Sequence, residues 1–122
     1  MSRYVDGFVL PVPKRKIEAY RRIAAKACKV WMEHGALDYI EAVADDVKPG
    51  KWTSFPQSVK LKKTETVVFA YIVYKSRKHR DRVNAKVMKD ERMNSMMGGD
   101  INKMPFDAKR MIFGGFKTVV EA

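Results

Sequence analysis

Apolar and polar positions alternate along the first dozen residues. In "RYVDGFVLPV" (3–12), Tyr4, Asp6, Phe8 and Leu10 fall on one side of an extended chain and Val5, Gly7 and Val9 on the other, the period of two that marks a strand. Pro13 suits a helix start, where its missing N–H is not needed. Beyond it Ile17, Tyr20, Ala24, Ala27 and Trp31 recur every three or four residues, with Ile23 and Val30 beside them and Arg15, Arg22, Lys26 and Lys29 opposite. That spacing predicts an amphipathic helix over Lys14 to His34, stopped by Gly35. "ALDYIEAVADD" (36–46) predicts a second strand and "VKPGK" (47–51) a turn. Residues 52–65 read as irregular or short-strand, because Phe55, Gln57, Val59 and Leu61 alternate. "TVVFAYIVYK" (66–75), rich in β-branched and aromatic residues, is the strongest strand signal. A helix is predicted over Ser76 to Lys89 and a short methionine-rich one over Asp90 to Met97, stopped by Gly98-Gly99. After the loop "DINKMPFDAK", residues 110–120 predict the last strand.

The order strand, helix, strand, strand, helix, strand is the split-βαβ, ferredoxin-like plait. The expected fold is α+β: a βαββαβ chain, residues 1–122 as a single domain, with an antiparallel sheet and two main helices on one face. Residues 67–74 are apolar on both faces, whereas a half-solvated antiparallel strand alternates with polar residues. The helix-free face is therefore expected to be covered, and the bulk of Tyr4, Phe8 and Leu10 on one side of the first strand agrees. A second copy of the chain is the simplest cover, because large exposed apolar patches are rare on monomers. Two of the seven glycines, Gly114 and Gly115, stand between Phe113 and Phe116 in the last strand. Gly7 lies in the first strand, close by in such a plait. Two readings stand: a bulge that lets aromatic rings fold over a sheet corner, or a floor against which a ligand lies.

Composition changes the picture little. With 122 residues and 46% hydrophobic content the chain can bury one core. No stretch approaches the roughly 20 apolar residues that span a membrane. The N-terminus lacks a signal-peptide cleavage site, Ser2 stands where myristoylation needs glycine, and the single Cys28 cannot form an internal disulfide. A cytoplasmic protein with no membrane partner is expected.

Charge matters more. The net charge is +11, which attracts nucleic acid, anionic surfaces or acidic ligands without naming one. Residues 14–34 hold seven basic and two acidic residues and residues 75–92 eight and three, a net +5 each, so nearly all the charge lies on the helical layer. The charges are mostly on the helices whereas the sheet carries the aromatics such a surface would use, and the aromatic signature of RNA-recognition modules is absent. Any nucleic-acid binding is expected to be weak, non-specific and salt-dependent.

Asp6, between Tyr4 and Phe8 on a central strand, must be paired or have its pKa raised by desolvation. It is a candidate general base; the structural alternative is a salt bridge, with Arg110 as the partner considered. Glu41 raises the same question on a strand expected at the sheet edge. Asp107, Lys109 and Arg110 form either a capped turn with a strand ion pair or an anion-binding rim. Trp52 and Phe55 are large aromatics in a loop, placed to cover the sheet, reach another subunit or close a pocket. Trp52, Asp107, Arg110, Gly114 and Gly115 are thus the ligand-binding candidates. His34 and His79 show neither metal spacing nor haem-ligand context, and no nucleophilic triad order is present. Cys28 reads as inert and the methionines as packing. In "PGKWT" (49–53) a phosphate loop would need glycine where Asp45 stands, and Gly98-Gly99 matches no dinucleotide fingerprint. No metal site and no cofactor is expected.

The stretches "YVDGFV" (4–9), "AYRRIAAKA" (19–27), "GALDYIEA" (35–42) and "MPFDAKRMIFGGF" (104–116) resemble the YbaA-like bacterial family, also called domain of unknown function 1428, in order and over essentially the whole chain. The resemblance implies a dimeric α/β barrel, two ferredoxin-like subunits packed sheet to sheet. Relatives in that superfamily include small cofactor-independent monooxygenases, haem-degrading or haem-using enzymes, lactone isomerases and proteins of no known activity. One fold hosts many activities, so function stays open between classes. A homodimer that binds or converts a small molecule beside the sheet is the first. A non-catalytic structural or binding protein is the second, and a weakly nucleic-acid-associated basic protein the third. A large apolar cavity with convergent polar groups beside Asp6 would favour the first.

Overall fold

A computed structural model of the chain describes residues 2–97 and 104–122. Strand β1 (Tyr4–Pro13) leads through a 3-10 turn at Lys14–Lys16 into α1 (Ile17–Glu33); then come β2 (Asp38–Val43), a single helical turn α2 (Phe55–Ser58), β3 (Glu65–Tyr74), α3 (Arg77–Met88), α4 (Glu91–Met97) and β4 (Ile112–Lys117). The strands form one antiparallel sheet in the order β2-β3-β1-β4. This is the expected ferredoxin-like plait. Pro11 and Pro13 sit in a central strand without harm because pairing with β4 ends at Val9, leaving β1 a free edge beyond it.

The ends of the elements follow local chemistry. Gly35 adopts φ +114°, and the N–H groups of Gly35 and Ala36 close back on the carbonyls of Met32 and Trp31, the glycine-terminated helix stop. The Ser76 hydroxyl accepts the His79 N–H at 3.1 Å and caps α3, a contact worth about 1 kcal/mol. Residues 55–58 are helical where a short strand was one expectation. Ser54 accepts the Gln57 N–H at 3.2 Å and Pro56 sits in the first turn, so the Ser-x-x-Gln signature outweighs the apolar alternation.

Helices α1, α3 and α4 pack on one sheet face. Ala27, Val30, Val83, Val87 and Met93 meet Ile72 and Tyr74, while Tyr20 meets Leu10, Val12 and Val68. The side chains of Tyr4, Phe8 and Leu10 join this helical side, which corrects the expectation that their bulk belongs to the helix-free face. The opposite face carries Val5, Val9, Ile40, Val67, Phe69, Tyr71, Val73, Ile112 and Phe116 by register. The chain covers one end of that face itself: Phe55 packs edge-on against Phe69, ring centroids 6.0 Å apart, and Val67 is buried. Ile112 and Phe116 stay exposed.

The glycines are not at a bulge. The β1–β4 register runs unbroken from Tyr4↔Lys117 to Val9↔Ile112, and Gly7 pairs directly with Gly114. Aromatic rings do lie over them, one on each face. Phe116 reaches within 3.8 Å of where a Cβ would stand at Gly7 or Gly114, and Tyr4 covers Gly115. The stop expected at Gly98-Gly99 lies outside the described residues. Among the described residues no helix is long and apolar enough to cross a membrane.

Candidate functional site

Between the sheet and the helical layer lies a cavity of about 490 Å³ with largely apolar walls. Ala24 and Ala27 of α1, Ala70 and Ile72 of β3, and Met88, Met93 and Phe106 supply much of the lining. Alanine where a larger residue would fit leaves the space open. Gly114 and Gly115 contribute to the wall where β4 runs. Polar groups reach this cavity as two separate clusters.

The first is centred on Asp6, only 6% exposed. Arg80 of α3 donates from Nη1 to Asp6 Oδ1 at 2.7 Å, and its guanidinium lies 4.8 Å from the Tyr4 ring centroid. Asp6 therefore has an ion-pair partner, but it is Arg80 and not Arg110: β1 presents Asp6 to the helical layer, beneath α3. Burial pushes the Asp6 carboxyl above its usual range against the opposing pull of Arg80, Asn84 and Tyr74. Asn84 Oδ1 accepts from Trp31 Nε1 at 3.1 Å and from the Tyr74 hydroxyl at 3.2 Å, tying α1, β3 and α3 together. Burial, then the Asp6 charge, hold the Tyr74 phenol well above its ordinary value, so it stays a donor.

The second cluster is centred on Glu41. Strand β2 is the sheet edge as expected, yet Glu41 turns inward. Its Oε1 accepts from the Tyr20 hydroxyl of α1 and its Oε2 from the Tyr39 hydroxyl at 2.6 Å. One phenol on each oxygen suits an ionised, acceptor-only carboxylate. Burial and the Glu41 charge push both phenols far above their ordinary value. Among the described residues no Lys, Arg or His forms a salt bridge with Glu41. Cys28, nearby on α1, has its thiol pushed up by burial and by Glu41 and Asp38.

The remaining candidates lie elsewhere. Arg110 donates to Glu65 through Nη1 at 2.8 Å and Nη2 at 2.6 Å, to Asp107 through Nε at 2.8 Å, and to the Lys60 carbonyl at 3.0 Å. Asp107 also accepts the Lys109 N–H, capping the turn at Ala108–Arg110. With its donors so engaged, Arg110 clamps β3 to the turn before β4. Asp107 and Arg110 border a second recess of about 380 Å³ with Lys16, Lys62 and Lys109. Trp52 is 86% exposed with Lys51 over its ring, apart from both recesses. His34 pairs with Asp90 at 2.8 Å, and among the described residues no three His, Cys, Asp or Glu side chains gather as a metal site would require.

Sequence reading missed Arg80, Asn84, Tyr20, Tyr39 and Trp31 as members of the site. A signal existed for the first two: Arg80, Val83, Asn84 and Val87 share one stripe of α3, and that stripe faces inward. The net charge of the segment masked it.

The ferredoxin-like plait, the class this fold defines, recurs among solved structures of low identity. One is a NIPSNAP family protein of unknown function from Agrobacterium tumefaciens, TM-score 0.61 at 12% identity, covering 95% of this chain and 87% of that one. Another is a dimeric ferredoxin-like protein from an uncultured marine organism, TM-score 0.57 at 11% identity, covering 100% of each. At such identities the likeness shows the fold alone. Residues 3–108 match the family described as protein of unknown function (DUF1428), and the chain is 48% identical over 119 residues, 98% of each chain, to the uncharacterized protein YbaA of Escherichia coli K12. The chain belongs to this family, as the motifs in its sequence led one to expect.

Proposed function

We propose that the chain, as a cytoplasmic homodimer, binds a mainly apolar small molecule in the cavity between sheet and helices, with Asp6 and Glu41 orienting it or exchanging a proton with it. The observation that carries this reading is the cavity itself: about 490 Å³ of largely apolar space, half open to solvent, between sheet and helices, with polar groups converging from two sides. Between the two carboxylates, Glu41 is the freer to act, because Arg80 already offsets the charge on Asp6.

Trp31 lines the cavity and Trp52 is exposed, so a Trp52→Phe variant leaves one indole as a reporter of occupancy. A set of neutral apolar fragments titrated against it should include members that quench or shift Trp31 emission saturably. Ala24→Phe, which adds a ring to the cavity wall, should abolish the response. Fragments that never saturate, or that bind Ala24→Phe equally well, would refute a cavity ligand.

A further inference from the structure

We propose that the ligand carries a cationic nitrogen, and that an ammonium group on an otherwise apolar molecule seats beside Glu41. The proposal rests on the cavity being a ligand site and adds the ligand's charge.

The chain carries +11, yet among the described residues the charged ones lining the cavity are two carboxylates and one guanidinium, Asp6, Glu41 and Arg80, a balance of one negative charge. Arg80 is spent on Asp6 at 2.7 Å and Asp81 at 2.8 Å. Among the described residues the uncompensated charge is Glu41. Each of its oxygens accepts one phenol, which leaves lone pairs unused, since a carboxylate offers about four acceptor sites. Two neutral donors steady the charge but do not cancel it. A carboxylate in apolar surroundings is costly unless paired, and no side chain among the described residues supplies the pair.

The walls around Glu41 are those that favour a cation. Trp31 and Tyr39 meet at 6.2 Å between centroids, tilted by 48°, and Tyr20 meets Phe106 edge-on at 5.7 Å; all four rings line the cavity. Aromatic faces attract an ammonium, more strongly where water is excluded. An anionic ligand, which the overall charge would invite, would meet a carboxylate there. Both phenols are held as donors to Glu41, so a neutral hydroxyl gains less than an N⁺–H.

The test uses three probes that differ only in their polar end: phenethylamine, 2-phenylethanol and phenylacetate, titrated at neutral pH against the Trp52→Phe protein. The amine should bind at least about tenfold tighter than the alcohol, with the acid weakest. In Glu41→Gln the preference for the amine should fall to within about threefold of the alcohol, while Tyr39→Phe, which keeps the carboxylate, should retain it. The wild-type comparison stands even if a variant fails to fold. Alcohol bound as tightly as amine overturns the cationic ligand while leaving the cavity reading intact. Preference that survives Glu41→Gln overturns the role of Glu41. Binding of none of the three overturns the cationic ligand, and the neutral fragments then decide the cavity separately.

Discussion

Gly115 and Gly114 are neighbours in β4, yet a methyl group added to each should have opposite consequences. At Gly115 a Cβ would stand 2.3 Å from the Tyr4 hydroxyl oxygen, 2.6 Å from its Cε2 and 2.8 Å from its Cζ. The ring must withdraw by more than about 1 Å to reach ordinary contact near 3.5 Å. It is not free to do so, because the Arg80 guanidinium lies over it at 4.8 Å, and Arg80 is in turn held by Asp6. Overpacking of this kind costs about 1–3 kcal/mol, against a return of about 0.5–1 kcal/mol from removing glycine's excess backbone freedom. The expected net loss for Gly115→Ala is about 1–2 kcal/mol, a fall of roughly 4–8 °C in melting temperature. At Gly114 the nearest atom would be Phe116 Cε1 at 3.8 Å, an ordinary contact, so Gly114→Ala should be neutral or slightly stabilising. Urea unfolding of wild type, both single variants, Tyr4→Ala and Tyr4→Ala/Gly115→Ala closes the cycle, and the cost of the added methyl should vanish when the ring is gone. Equal effects at the two glycines, or a Gly115→Ala penalty that persists without Tyr4, would refute the reasoning.

Arg110→Ala should cost about 3–5 kcal/mol in urea unfolding, because it strands Glu65, 7% exposed, as an unpaired buried charge; a loss below about 1 kcal/mol would mean the clamp is ornamental. The hydrogen bond from Arg110 holds the Glu65 carboxyl below its ordinary value, so its contribution is complete above the unfolded-state pKa of about 4.3 and disappears as pH falls through the lower folded value. Glu65→Gln should therefore flatten that acid limb of the stability curve, and an unchanged limb would assign it to other carboxylates. Light scattering at micromolar concentration should give twice 14.1 kDa for the wild type, and Phe116→Lys on the helix-free face should shift it toward the single-chain mass; a wild type already at 14.1 kDa removes the homodimer.

Much of the fold was legible because local periodicity and tertiary demand agree in this chain. The alternation in β1, the 3.6 spacing of α1 and the β-branched run of β3 each name one structure, and Gly35 and Ser76 mark ends by chemistry confined to a turn. The miss at 55–58 arose where two local signals compete over four residues, and the Ser54 cap outweighed the alternation. The site was half legible. Asp6 and Glu41 stood out because a charge in a strand of apolar neighbours is a local anomaly, whereas Arg80 looked like any other cation in a basic helix.

The sequence by itself determined the main strands and helices, their order, the inward stripe of α1 and the surplus of positive charge, properties that composition and near neighbours carry. Only the tertiary structure decided which charges meet. Residues 74 positions apart, Asp6 and Arg80, become partners because α3 packs on the helical face of the sheet, toward which β1 presents Asp6, and Arg110 is drawn to Glu65 because the turn before β4 lies against the start of β3. It also turned Glu41 toward two tyrosines from separate elements and left open the space into which it looks. Ion pairing and cavity volume depend on distances across the fold, and no pattern along the chain encodes them.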